Sequence, residues 1–267
     1  MKLIQSRDNP FFKRLKRLAE SGRERRKSGL ALLDGVHLVQ AYEAAHGPVD
    51  TLVVGESALA GGEIADFVGG RAVVVLADGL LRGLGLVETP SGLLAVAALP
   101  VATVAVDREK DAILLDGVQD PGNVGAILRT AAAAGVGQAL LGPGCASAWS
   151  PKVLRAGQGA HFALTILEDA DLGAFMADYR GTTAVTCLDG ATPLYEARWQ
   201  DPLAWVFGAE GQGVSASLAA AARLRIRIPM PGAVESLNVA AAAAVCLFEC
   251  LRRREAAGGD RRATTAK

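Results

Sequence analysis

The sequence predicts an α/β protein of two domains, the second built around a largely parallel sheet. Short apolar, β-branched runs alternate with helix-length segments, the pattern of strands returned by helical crossovers. The alternation fades once, from Pro100 to Lys110, into Pro, Thr and charged residues, and then restarts. With 267 residues, 51% of them hydrophobic, the chain has enough apolar side chains for one large core or two smaller ones. The expected division is a first domain at 1–100, a link at 101–111, a second domain at 112–255 and a disordered polar tail at 256–267.

In the first domain, Asn9 and Pro10 precede a basic helix that runs to about Glu20, with Phe12, Leu15 and Leu18 at helical spacing on its core side. LALLDG from Leu30 reads as a short strand and Val36 to Ala45 as a helix. TLVVG at 51–55 and RAVVVLA at 71–77 are strands by their β-branched content. Asp78 is an expected N-cap for a helix to about Leu84, and SGLLAVAAL from Ser91 is strand-like. The second domain runs AILLDG strand, Gly125–Ala134 helix, QALLG strand, Leu172–Tyr179 helix, then the strands TAVTCL, AWVFG and RIRIP, and a Ser236–Arg253 helix.

The net charge is zero, with 28 residues of each sign, but the charges are segregated. Residues 1–30 hold ten basic groups against three acidic, which leaves 18 basic and 25 acidic for the rest. A basic head on a mildly acidic body suggests a polyanionic partner; a solvated helix face would carry the same run. Phe11 and Phe12, among these charges, are placed to stack on bases or to face a core. No apolar run approaches the roughly 20 residues that span a bilayer, and MKLIQSRDNPFF lacks the apolar core of a signal peptide. A cytoplasmic protein without a membrane partner is expected. Cys145, Cys187, Cys246 and Cys250 show no C-x-x-C spacing, and the histidines are His37, His46 and His161, so buried free thiols and no metal are expected.

The chemistry concentrates in three segments of the second domain. In LLDGVQDPGNVGAILRTAAAAGV, residues 114–136, a strand ends at Asp116 and a helix starts near Asn123. Asn123 suits an N-cap, and the first-turn N–H groups beyond it favour anions. Arg129 follows within two turns, so both side chains can address one phosphate or ribose; a capping Asn and a solvated Arg remain the plainer reading. Neither phosphate-loop nor dinucleotide fingerprint is present. In AWVFGAEGQGVS, residues 204–215, an apolar strand breaks into Gly208, Glu210, Gly211 and Gly213, small residues that let a ligand lie against backbone beside one carboxylate. RIPMPGAVESLNVAAAAAV, residues 227–245, breaks on Pro229 and Pro231 and enters an Ala-rich helix at Ser236.

Asn123, Gly125 and Arg129, then FGAEGQG at 207–213, then IPMPGAVESLNVAAA at 228–242, resemble the three ordered motifs of the SpoU (TrmH-type) RNA 2′-O-ribose methyltransferases. The match covers roughly residues 112–252, with RAGQGAHF at 155–162 in the linking stretch. LLDGVHLV at 32–39 and TPSGLLAVA at 89–97 resemble the L30e-like RNA-binding domain that often precedes the catalytic one. The resemblance implies a SPOUT fold whose C-terminal segment threads a deep trefoil knot. It implies S-adenosylmethionine bound in that knot, at positions matching Gly208, Ile228 and Leu237, with Met230 nearby. It also implies a homodimer whose active site draws on both subunits, and the small-residue face of Ala240 to Ala244 suits close helix contact, as it would any buried helix.

Methyl transfer to a ribose hydroxyl needs a donor, a hydroxyl held in line with it, and an outlet for the proton; orientation supplies much of the acceleration. The family gives the central role to the arginine matching Arg129. A guanidinium rarely surrenders its proton in a protein, so phosphate binding and stabilisation of the developing alkoxide is the easier role. Asn123 would then hold Arg129 or the phosphate, while Glu210, Ser236 and Asn238 complete the hydrogen-bond frame. A salt bridge to Arg129 with no chemical role is the alternative for Glu210, and Ser236 also suits a helix N-cap. Ribosomal RNA is the expected substrate because a separate basic domain is present; tRNA, or a non-catalytic RNA-binding role on the same fold, are the alternatives.

Overall fold

The computed structural model describes residues 2–87, 89–100, 106–187 and 191–264. The chain divides into two compact units, residues 1–103 with 147–162 and residues 104–146 with 163–267. Residues 147–162, inside the expected second domain, thus belong to the first unit. Residues 101–105 of the expected link lie outside the described residues; Asp107 and Lys110 are bound to the second unit through the Gln138 amide, which donates to both carbonyls at 2.6 and 3.1 Å.

The first unit runs β1 (Lys2–Ile4), α1 (Pro10–Glu20), α2 (Gly22–Ser28), β2 (Leu30–Asp34), α3 (Val36–His46), β3 (Thr51–Gly55), α4 (Glu63–Val68), β4 (Val73–Leu76), α5 (Asp78–Gly83) and β5 (Leu93–Ala98), with a 3₁₀ turn at Glu56–Ala60. Its sheet has the order β1-β4-β3-β5-β2, parallel through β1, β4 and β3 and antiparallel at β5. α1 begins where Asn9 accepts the Phe11 N–H and Pro10 fixes the first helical residue. It buries Phe12, Leu15 and Leu18 in a core with Leu32, Leu76 and Leu94, and Phe11 packs against the same core, so neither ring is kept for bases. Asp78 does not cap α5. Ala77 holds that position, and the Asp78 carboxylate accepts instead from the Ser57 N–H at 3.2 Å, because Gly55 at the end of β3 leaves room for it.

The second unit runs β6 (Ala112–Asp116), α6 (Pro121–Ala133), β7 (Gln138–Leu141), then, after α7 (Pro151–Gly157), β8 (Thr165–Leu167), α8 (Leu172–Asp178), β9 (Thr182–Thr186), β10 (Thr192–Pro193), β11 (Leu203–Gly208), α9 (Ala216–Ala221), β12 (Leu224–Arg227) and α10 (Val239–Thr264). All seven strands pair in parallel, in the order β10-β12-β9-β11-β6-β7-β8. The chain leaves β6 toward β7 and leaves β11 toward β12, on opposite sides. A crevice therefore opens at the carboxyl ends of these two neighbours, the position where open parallel sheets hold ligands. α10 packs on α6, and Glu249, Arg253 and Arg254 fasten its second half: Arg253 donates to the Ala197 and Leu194 carbonyls, and Arg254 pairs with Asp111 and Asp201. Its backbone stays helical through Thr264, past Ala256 where a disordered tail was expected; residues 265–267 are outside the described residues. No helix among the described residues is long and apolar enough to cross a membrane.

α7 explains why the units interleave. β2 is an edge strand buried along its length, and α7 covers it within the first unit. The Asp34 carboxylate at the end of β2 is 1% exposed and accepts from Arg155 at 2.6 Å and from the Ser91 hydroxyl and N–H at 2.6 and 3.1 Å. Just beyond, His161 is buried with Nε2 against the Ala148 carbonyl at 2.8 Å and Nδ1 without a partner among the described residues. Burial lowers its pKa from 6.5 to about 4. The unfolded chain then takes up the proton first as pH falls, so stability is complete above about pH 6.5 and is lost toward pH 4. Urea titrations across this range should show the loss, on the order of 3 kcal/mol. His161→Phe should flatten the slope; an unchanged slope would show that another group titrates.

Candidate active site

Three loops meet the crevice: the one after β6, the one after β11, and residues 228–238 between β12 and α10. The first turns at Gly117, φ 68°, and enters α6 at Pro121. Asp120, not Asn123, is the cap: its carboxylate accepts the Asn123 N–H at 2.8 Å. An Asp directly before a Pro has both the capping side chain and the fixed following φ, so the helix starts earlier than expected and Asn123 sits inside its first turn with its side chain free for other work.

β11 ends at Gly208, and the loop folds straight back: the Gly213 N–H donates to the Ala209 carbonyl at 2.8 Å, with Gly211 and Gly213 at φ 84° and 68°. A Cβ on Gly208 would lie 2.0 Å from the Gly213 carbonyl carbon. Gly208 is therefore glycine because its own loop occupies that space, a different reason from the ligand approach expected of it. The loop is stitched to the neighbouring strand end, where the Ser215 N–H donates to Asp116 Oδ2 at 2.7 Å. Asp116 was not singled out in the sequence; an Asp at the end of a strand has no pattern that announces such a partner.

The expected polar residues Asn123, Glu210 and Asn238 come together. Asn123 Nδ2 donates to Glu210 Oε1, and Asn123 Oδ1 accepts from Asn238 Nδ2 at 2.9 Å. Asn238 Oδ1 accepts the N–H groups of Ala240 and Ala241 at 2.9 and 3.3 Å, so it caps α10. The ends of this chain settle its direction, because a backbone N–H only donates and a carboxylate only accepts. Ser236, the expected helix start, is exposed ahead of the cap and makes no hydrogen bond among the described residues.

Arg129 stands apart from this chain. It is exposed on α6, about 9 Å further along the axis than Asn123 and a third of a turn around. It makes no ion pair or hydrogen bond among the described residues, so the alternative of a Glu210–Arg129 salt bridge is not realised; Glu210 is taken by Asn123. Ile228 and Met230 are half-buried on the third loop, and Leu237 is 39% exposed next to Asn238. Burial pushes the Cys145 thiol, in the loop after β7, above its ordinary pKa, which disfavours a thiolate nucleophile.

Known proteins share both units. The model of the SpoU rRNA methylase family matches residues 111–248, and that of the MRM3-like substrate-binding domain matches residues 9–95. The 23S rRNA (guanosine(2553)-2′-O)-methyltransferase RlmP of Bacillus subtilis is 33% identical over 251 residues, covering 93% of this chain and 98% of its own. A crystal structure of an RNA 2′-O ribose methyltransferase superposes with a TM-score of 0.81 at 29% identity, covering 94% of this chain and 99% of that one. The SpoU methyltransferase AviRb of Streptomyces viridochromogenes, in complex with AdoMet, superposes with 0.80 at 25% identity, covering 92% and 98%.

Two substitutions separate the two jobs of Asn238. Asn238→Ala removes the cap and the hold on Asn123, and should lower unfolding free energy by about 1 kcal/mol. Asn238→Asp keeps a capping oxygen that favours the helix N-terminus but cannot donate to Asn123. Its melting temperature should stay near wild type while methyl transfer falls at least about tenfold, the scale of one lost oriented hydrogen bond. Equal activity for Asp and Asn at 238 would show that the tie to Asn123 is dispensable.

Proposed function

The chain belongs to the SpoU rRNA methylase family, and on that premise we propose that it methylates a ribose 2′-hydroxyl of ribosomal RNA at the crevice beside β6 and β11. One observation carries the site assignment: Asn123 is held by Glu210 and Asn238 on the same helix that presents Arg129 exposed and unengaged. S-adenosylmethionine supplies the methyl group, on a sulfonium centre. The residues suit that donor: Gly208 ends its strand at the crevice, Ile228 and Met230 are half-buried, and Leu237 keeps open apolar surface next to Asn238. Arg129 donates to the phosphate beside the target ribose and to the oxygen that develops charge, while Asn123 and Glu210 position the loops around them. A trefoil knot of the C-terminal segment belongs to this reading, supported by the return of residues 228–238 from β12 to Asn123.

Ribosomal RNA is favoured over tRNA because the Bacillus relative, named for 23S rRNA, matches over both units. Exposed Arg14, Arg17, Arg23 and Lys27 on α1 and α2 support an RNA-facing first unit, and such a substrate is met in the cytoplasm. The linked motif residues argue against a fold that has lost its reaction. Mapping of alkali-resistant phosphodiesters in total RNA tests the function: one ribosomal position should lose protection when the gene is deleted and regain it on complementation. No change in ribosomal RNA would overturn the substrate.

The homodimer is supported by Ala241 and Phe248, exposed two turns apart on one face of α10, with Phe248 48% exposed. Phe248→Glu should convert a dimer to a folded monomer by sedimentation equilibrium, and a wild-type monomer at micromolar concentration would defeat this assignment. Arg129→Ala should leave fold and donor affinity intact yet slow single-turnover methyl transfer at least about a hundredfold, the scale of one preorganised donor. Arg129→Lys keeps the charge without the planar fork, so little rescue is expected. A near wild-type rate for Arg129→Ala would move the centre elsewhere.

A further inference from the structure

The first unit carries a cleft of about 520 Å³ that no step of methyl transfer uses. That lies within the roughly 300–1,000 Å³ of small-molecule sites. It opens past the carboxyl ends of the parallel strands β3 and β4, between α4, α5 and residues 89–92. Apolar atoms of Ile64 and Leu81 line it. Gly92 keeps it open, and Gly55 leaves room for the Asp78 carboxylate. A Cβ on Gly92, which has φ 98°, would come within 3.1 Å of Ala58 Cβ and 3.3 Å of Ile64 Cδ1, and one on Gly55 within 2.8 Å of Asp78 Oδ1.

Asp78 is the polar group that singles the cleft out. Its Oδ1 is held by the Ser57 N–H at 3.2 Å, and its Oδ2 has no hydrogen bond among the described residues. The carboxylate is half-buried and oriented by an element other than its own helix. With Glu63 also lining the cleft, a phosphate is disfavoured inside it, while the exposed Arg82 adds one cation at the lining.

We propose that this cleft receives an unstacked guanine of the substrate RNA, with Asp78 reading its pairing edge and Arg82 meeting the attached phosphate. Guanine alone among the four bases presents two adjacent N–H donors on that edge, N1–H and the 2-amino group, which match the two oxygens of one carboxylate. Adenine and cytosine set an acceptor next to their amino group, and uracil flanks its single N–H with two carbonyls. Apolar contact to a base face, here available from Ile64 and Leu81, with a polar group reading the edge is a general means of holding a base taken out of its stack. This inference rests on the reading of the chain as an RNA methyltransferase and adds a second, non-catalytic base contact in the first unit.

The test titrates the full-length protein, methyl-labelled at isoleucine, with GMP, IMP, UMP and inorganic phosphate, following the Ile64 resonance. GMP should shift it saturably. IMP, which lacks the 2-amino group, and UMP should each bind at least tenfold more weakly. Asp78→Asn keeps an oxygen for the Ser57 N–H but puts a donor where guanine donates, so it should weaken GMP at least tenfold and leave S-adenosylmethionine affinity unchanged. No saturable shift with GMP, equal binding of GMP and UMP, an indifferent Asp78→Asn variant, or the same shift from phosphate alone would each overturn the proposal. Methyl transfer measured on the same wild-type sample keeps the two readings apart: activity without GMP binding overturns the guanine site only, and an inactive wild type overturns the enzymatic reading.

Discussion

The site depends on one directed chain of hydrogen bonds, from the first-turn N–H groups of α10 through Asn238 and Asn123 to Glu210. Each amide accepts on one side and donates on the other, so a flip breaks two bonds at Asn123 and three at Asn238. A single link of this kind contributes about 0.5–1.5 kcal/mol net, far too little to build the fold. Its value is orientational. Residues 123, 210 and 238 are 87 and 115 positions apart from the first, and the chain sets all three loops in one register. Arg129 remains free of these bonds, exposed on α6 with no hydrogen bond or ion pair among the described residues.

What makes that register possible is the sheet beneath it. β6 and β11 are paired along five residues from Ala204↔Ala112 to Gly208↔Asp116, and both are buried, with Trp205 and Phe207 stacked in the core of β11. Their ends are therefore rigid, and the loops they emit diverge to opposite sides. The Ser215–Asp116 bond and the bare backbone of Gly208 close the second loop onto this scaffold before any ligand is considered. The middle of α10 is fixed separately, by Arg253 and Arg254, while Asn238 caps its N-terminus.

The first unit solves a different problem. Its edge strand β2 is buried along its length, apolar up to Asp34, and needs a cover, and the chain takes that cover from residues 147–162. The Asp34–Arg155 pair and buried His161 belong to this arrangement. The basic face of α1 and α2 stays outside that packing, while the rings of Phe11 and Phe12 are turned to the core.

The alternation of β-branched runs with helical segments determined the α/β class, because side-chain period and branching act locally. The clustering of Gly, Asn and Glu near strand ends likewise marked loops that the fold brings together, at Asn123, Glu210 and Asn238. Short elements escaped: β1, β8 and β10 have two or three residues each, too few for a period to show. So did the caps, where Asp120 and Asn238 displaced Asn123 and Ser236, since several adjacent polar residues can each satisfy a helix end and only packing chooses. The assignment of α7 to the first unit, the partnership of Asp116 with Ser215, and the choice of Asn123 over Arg129 as the partner of Glu210 were decided by tertiary structure alone. These are contacts between residues remote in sequence, and local chemistry names the groups that seek a partner without fixing which partner the folded chain brings near.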